Sequence, residues 1–222
     1  MIKKFIENIY HVLFSKLAKN LSVIFSGNVV GSAFNFVGSI IILKNASTDN
    51  IGVLYPLVGI MLMTGSISDL GFSTIFIKLG CSKEYSPKEK FKEIFNSVFG
   101  FKLFTGIVGL LICLLFAEQI SLKTFKNIEN AKYIRLISVG VIFHAMSSFY
   151  YSFLQIKQNI RGMFLARLIP TILKFSSLCF LFFTNQMSLI NLIWVFMLYP
   201  IACVVFPSLV YVPFSNYSFS SF

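Results

Sequence analysis

The chain has 222 residues, 56% of them hydrophobic, with 12% charged and a mean hydropathy of +0.80. A soluble domain carries about a quarter of its residues as charges, so this composition indicates an integral membrane protein. The formal charge of +11 would suit a nucleic-acid partner, but the basic residues gather between the apolar runs, so no nucleic acid is expected.

In chain order, residues 1–20 set Phe5, Ile6, Ile9, Val12, Leu13 and Leu17 among lysines, the pattern of a helix lying in the membrane interface. A plain basic tail fits those residues equally well. Glu7, Asn8 and His11 interrupt the run, and no small-residue cleavage site follows. No cleaved signal peptide is therefore expected, and the mature chain is read as starting at Met1. Residues 21–212 then divide into six apolar spans: Leu21 to Leu43, Ile51 to Ile77, Phe95 to Ala117, Tyr133 to Phe153, Gly162 to Phe183 and Met187 to Tyr211. The predicted fold is all-α, a six-helix transmembrane bundle with an uncharged tail at residues 213–222.

Lysine and arginine set the orientation. Twelve lie in the N-terminal tail, the second loop (Lys78 to Lys92) and the region from Lys157 to Arg167. Five lie on the opposite side, at Lys44, Lys123, Lys126, Lys132 and Arg135. The excess predicts that both termini face the cytoplasm. Ser86-Pro87-Lys88-Glu89 has capping-box spacing, so a short cytosolic helix is expected to lead into the third span.

Polar residues recur at helical spacing inside the spans. Asn28, Ser32, Asn35 and Ser39 form one stripe of the first, beside Gly27, Gly31 and Gly38. That stripe fits a tight helix contact with amide glue or the wall of a cavity. The second span carries a single carboxylate, Asp69, among Gly65, Ser66, Ser68, Gly71, Ser73 and Thr74, and a charge placed there needs a neighbour other than lipid. In the third span Lys102 stands on a stripe with Gly106, Gly109 and Cys113, close enough to the cytoplasmic end to be expected to snorkel. His144 shares a face with Gly140, Ser147, Ser148 and Tyr151. It reads as a packing residue or, with Asp69, as an ion-coupling group.

The fifth span is the most informative, because Arg167, Thr171 and Lys174 share one face, with Pro170 between them. A central cation costs about 2.5–3.5 kcal/mol on the insertion scale, and roughly a dozen strongly apolar residues return only about 4–7 kcal/mol in total. Such a helix barely inserts on its own. Its cations are therefore expected to face the bundle interior, where Asp69, water or an anionic substrate would meet them, and one carboxylate does not neutralise two cations. Lys174 leads the candidate substrate-binding residues, followed by Arg167, Asn28, Asn35 and Lys102.

No HExxH, GxSxG or GxxxxGK[ST] motif occurs, and no span holds a pair of carboxylates. Cys81, Cys113, Cys179 and Cys203 lack metal-site spacing. Neither catalysis, a metal nor a cofactor is expected.

Three segments carry a resemblance: DNIGVLYPL, SDLGFSTIFIK and SFYYSFLQIKQNIRGMFLARLIPTILKF. Together they are similar to the N-terminal half of a polysaccharide-biosynthesis flippase. The family is the O-antigen or capsule repeat-unit translocase group of the multidrug/oligosaccharidyl-lipid/polysaccharide exporter superfamily. The resemblance implies a carrier in the bacterial inner membrane that moves an undecaprenyl-pyrophosphate-linked oligosaccharide to the outer leaflet by alternating access. Cavity cations such as Lys174 and Arg167 would hold the anionic pyrophosphate and sugar. Family members have two bundles around a central cavity, so six spans are expected to need a second lobe or a homodimer partner, or else to be a fragment. Two other functions compete: a cation-coupled antiporter of small organic cations, which calls for an acidic cavity, and an inactive membrane remnant or scaffold.

Overall fold

The computed structural model describes residues 16–82 and 88–211. The expected interfacial helix lies outside the described residues except for its last turn, and the tail at 213–222 and the capping residues Ser86 and Pro87 lie outside as well. The described residues form eight α-helices: α1 (Lys16–Asn45), α2 (Thr48–Ile67), α3 (Phe72–Gly80), α4 (Lys88–Leu115), α5 (Ala117–Phe125), α6 (Ala131–Ile156), α7 (Ile160–Phe183) and α8 (Leu189–Tyr211), with a 3-10 turn at Ile128–Asn130 before α6. Among the described residues there is no strand. Six of the described helices are long and apolar enough to cross a membrane, and the chain is an all-α polytopic membrane bundle.

Two helix boundaries differ from the sequence reading. The second span is not continuous, because α2 stops at Ile67 and the chain turns through Ser68 to Gly71 before α3 begins. Asp69 N–H donates to Ser66 O at 3.1 Å and Leu70 N–H to Ile67 O at 3.2 Å, which tightens the end of α2 into a narrower turn. Leu70 at φ 45° and Gly71 at φ 78° then reverse the backbone into the left-handed region, where an α-helix cannot continue. The second difference is α5. The residues after the third span fold into a short helix that ends at Lys126, itself left-handed at φ 54°. Asn127 closes the turn by accepting Glu129 N–H at its side chain, 2.9 Å away.

Packing radiates from α6, which touches α2, α3, α4, α5, α7 and α8. In its most apolar 18-residue stretch 56% of residues are buried, against 17% in that of α1. Two cores flank α6. Leu54, Leu57, Ile134, Ile137, Val141, Leu192 and Ile193 form an aliphatic core toward the α1–α2 and α7–α8 turns. An aromatic core forms at the other end, where the Phe149 ring stacks on Phe76 at 5.1 Å and meets Phe95 edge-on at 5.0 Å. Such ring pairs contribute about 0.5–1.5 kcal/mol each beyond area burial. α1 stands apart. It lies along α7 and meets α2, its neighbour in sequence, only sparingly.

The left-handed break generates a prediction. A Cβ on Gly71 would meet no atom within 4 Å, and the same holds for Gly59 in the interior of α2, so only backbone conformation separates the two sites. Gly71→Ala is expected to destabilise the protein by about 1–2 kcal/mol, whereas Gly59→Ala leaves stability unchanged or raises it. Thermal unfolding of the purified variants in detergent checks this; equal effects at both sites would contradict it.

Candidate functional site: a cation stripe and a buried ion pair

α1 and α7 run parallel, and their contact repeats at a fixed offset. Arg167 donates to Asn28 Oδ1 at 2.5 Å, and seven residues further on Lys174 donates to Asn35 Oδ1 at 3.0 Å, both pairs being separated by 139 positions. Two turns of helix lie between them, a rise of about 10.5 Å. Glycines make the approach possible: a Cβ on Gly27 would stand 2.6 Å from the Phe164 ring, and one on Gly38 would stand 3.1 Å from Leu178. The stripe read from sequence thus forms the tight helix contact, with glycines admitting the partner and asparagine amides bonding across it. Asn35 is fixed in turn, since its Nδ2 donates to Gly31 O at 3.0 Å.

Each cation also rests on an aromatic face. The Arg167 guanidinium lies 4.3 Å from the Tyr151 ring centre, and Lys174 Nζ lies 4.3 Å from that of Phe196. These contacts stabilise a cation by about 0.5–2 kcal/mol without neutralising it. Thr171, between the two on the stripe, is buried and returns its hydroxyl to Arg167 O at 2.8 Å. Among the described residues, neither Arg167 nor Lys174 lies within ion-pair distance of a carboxylate.

Asp69 is engaged elsewhere. Its Oδ1 accepts from Lys102 Nζ and from Ser73 Oγ, the latter at 2.7 Å. Lys102 also donates to Ser73 Oγ at 2.7 Å and to Ser148 Oγ at 2.5 Å. This corrects one expectation and removes one alternative. Lys102 does not snorkel: it is 0% exposed and points into the bundle. Asp69 is paired with Lys102 rather than with Arg167 or Lys174. The physical reason is common to both, because the carboxylate at the α2–α3 break would otherwise sit unpaired in a poorly solvated interior, and Lys102 on α4 is the cation that reaches it.

The two arrangements meet at Ser147 and Ser148 of α6. One hollow is lined by Gly65, Ser66, Asp69, His144 and the two serines; the next is lined by the same serines with Tyr151, Ala166, Arg167, Cys203 and Pro207. His144 is half-buried in the first, against Gly65, where a Cβ would come within 2.6 Å of its imidazole. Lys174 lies instead in a narrow crevice with Phe34, Asn35, Gly38, Ser39 and Phe196. The structure therefore places Asp69 and His144 in one hollow and Arg167 in the next, joined across Ser147 and Ser148, with Lys102 buried against Asp69, and it keeps Lys174 and Asn35 one crevice away. Phe196 and Cys203 of α8 were not singled out by sequence, since they carry no polar periodicity and acquire meaning only when α8 packs on α7.

The pair between Asp69 and Lys102 generates a second prediction. Lys102→Met strands the carboxylate and is expected to cost about 3–5 kcal/mol, while Asp69→Asn combined with Lys102→Met recovers most of that loss. A double-mutant cycle on unfolding in detergent measures it, and additive single effects would remove the pairing.

The arrangement is that of a membrane bundle with Arg167 beside a polar trough and Lys174 in a neighbouring crevice, neither paired with a carboxylate among the described residues. A family model described as polysaccharide biosynthesis protein matches residues 55–219, from within α2 to beyond the end of α8. No curated protein and no solved structure matches the chain significantly. The match covers well over half of the 222 residues, and the chain belongs to the polysaccharide biosynthesis protein family.

Proposed function

We propose that this chain is one lobe of a transporter that flips an undecaprenyl-pyrophosphate-linked oligosaccharide, an O-antigen or capsule repeat unit, across the bacterial cytoplasmic membrane. The observation that carries the reading is the pair Arg167 and Lys174, set on one stripe of α7 and held by neutral amides and aromatic faces instead of carboxylates. A side chain that is held in position but not neutralised is suited to an anion. The Arg167 guanidinium can offer a phosphate two parallel N–H groups. Lys174, about 10.5 Å further along the helix, is placed for an anionic group that has moved deeper or for a second charge on the same substrate.

Family membership and six membrane-length helices support a carrier rather than a catalyst. Alternating access needs a second wall, supplied by another lobe or a second copy of this chain. The lysine and arginine distribution supports termini in the cytoplasm. The rival reading, an antiporter of organic cations, requires an acidic cavity. Asp69 provides little of one, because Lys102 offsets its charge.

The test is complementation of a strain lacking its own repeat-unit flippase by the full gene product, with membrane levels followed through an epitope tag. Arg167→Ala and Lys174→Ala are each expected to reduce surface polysaccharide at least about tenfold, matching the roughly 1.5–3 kcal/mol of a charge-assisted hydrogen bond. Arg167→Lys should retain an intermediate level, keeping the charge and losing the fork. Full complementation by the Arg167→Ala, Lys174→Ala double variant would overturn the reading.

A further inference from the structure

Lys102 Nζ has three polar partners, the Asp69 carboxylate, Ser73 Oγ at 2.7 Å and Ser148 Oγ at 2.5 Å, one for each N–H of an ammonium. They arrive from the α2–α3 break, the first turn of α3 and the middle of α6. A carboxylate and hydroxyl oxygens converging where a membrane helix is interrupted form the kind of oxygen cage in which transporters bind a small cation. Here the cage surrounds an ammonium that belongs to the chain and has no solvent exposure. We propose that Asp69, Ser73 and Ser148 constitute a monovalent-cation site whose cation is the Lys102 ammonium. The native site is therefore closed to Na⁺ and opens to small cations only when that side chain is removed.

Charge arithmetic supports this. One carboxylate and one ammonium balance, and a second cation in the same poorly solvated space would be repelled without a counter-charge. Truncation at Lys102 reverses the balance, leaving a carboxylate and two hydroxyls around a void. An entry route exists, because the Asp69 side chain is 26% exposed to the hollow lined by Gly65, Ser66, His144 and Ser147. Lys102→Ala removes three methylenes and an ammonium, the equivalent of n-propylammonium.

The experiment is thermal unfolding of the full chain in detergent at one fixed pH and constant ionic strength, in Na⁺, K⁺, choline or n-propylammonium chloride. Wild type is expected to unfold at the same temperature in all four. Lys102→Ala should unfold at a lower temperature and be restored saturably by Na⁺ or n-propylammonium, by about 3–6 °C at roughly ten times the dissociation constant. Asp69→Asn with Lys102→Met, which has no cage charge to satisfy, should show no cation response. Saturable Na⁺-selective stabilisation of wild type would overturn the proposal. So would a Lys102→Ala protein that responds to no cation, or that folds in none of them while the double variant folds. Since the readout is stability rather than transport, its failure would leave the anion reading of Arg167 and Lys174 standing.

Discussion

A charge inside a hydrocarbon layer has to be answered by the protein itself, and this bundle answers its charges in two different ways. Asp69 and Lys102 neutralise each other in a site with two serine hydroxyls, and that site fastens the interrupted second span to α4 and α6. Arg167 and Lys174 receive amide oxygens and aromatic faces, which hold the side chains and leave their charge unspent. The difference separates a pair that cancels its own charge from two cations that keep theirs. A neutralised pair has little left to offer a ligand, whereas an oriented, unneutralised cation retains nearly all of its attraction for an anion.

The two charge systems also depend on each other. Had Asp69 been free, it would face the same trough as Arg167, across Ser147 and Ser148. A carboxylate there would compete with any anionic substrate for the guanidinium. Lys102 pairs with Asp69 and offsets that carboxylate's charge. The left-handed turn at Leu70 and Gly71 makes this possible, since it brings Asp69 and Ser73 to the same ammonium from either side of the break.

Sequence made the spans readable because hydrophobic length is a local property, and the membrane imposes it on each helix separately. It also marked the stripe of Asn28 and Asn35 and that of Arg167 and Lys174, since helical periodicity is local too. It did not show that one stripe lies against the other, a relation between residues 139 positions apart. The partner of Lys102 was missed for the same reason. Proximity to the cytoplasmic end suggested an outward side chain, while a carboxylate at the α2–α3 break turns it inward. The break after Ile67 had a signal in Asp69 and Gly71, which apolar length outweighed. Helix α5 had only the weak pattern of Glu118 and Lys123 on a short segment.

The parallel contact between α1 and α7 has a consequence for how the molecule is made. The amides of α1 acquire their partners only after 139 further residues have been polymerised, which at roughly 5–20 residues per second is a delay of about 7–28 s. Throughout that interval α1 has its polar stripe unmatched by α7 and few contacts with α2. Among the described helices α1 therefore waits for α7 before its stripe is matched, and only α8 remains to be made when the two meet.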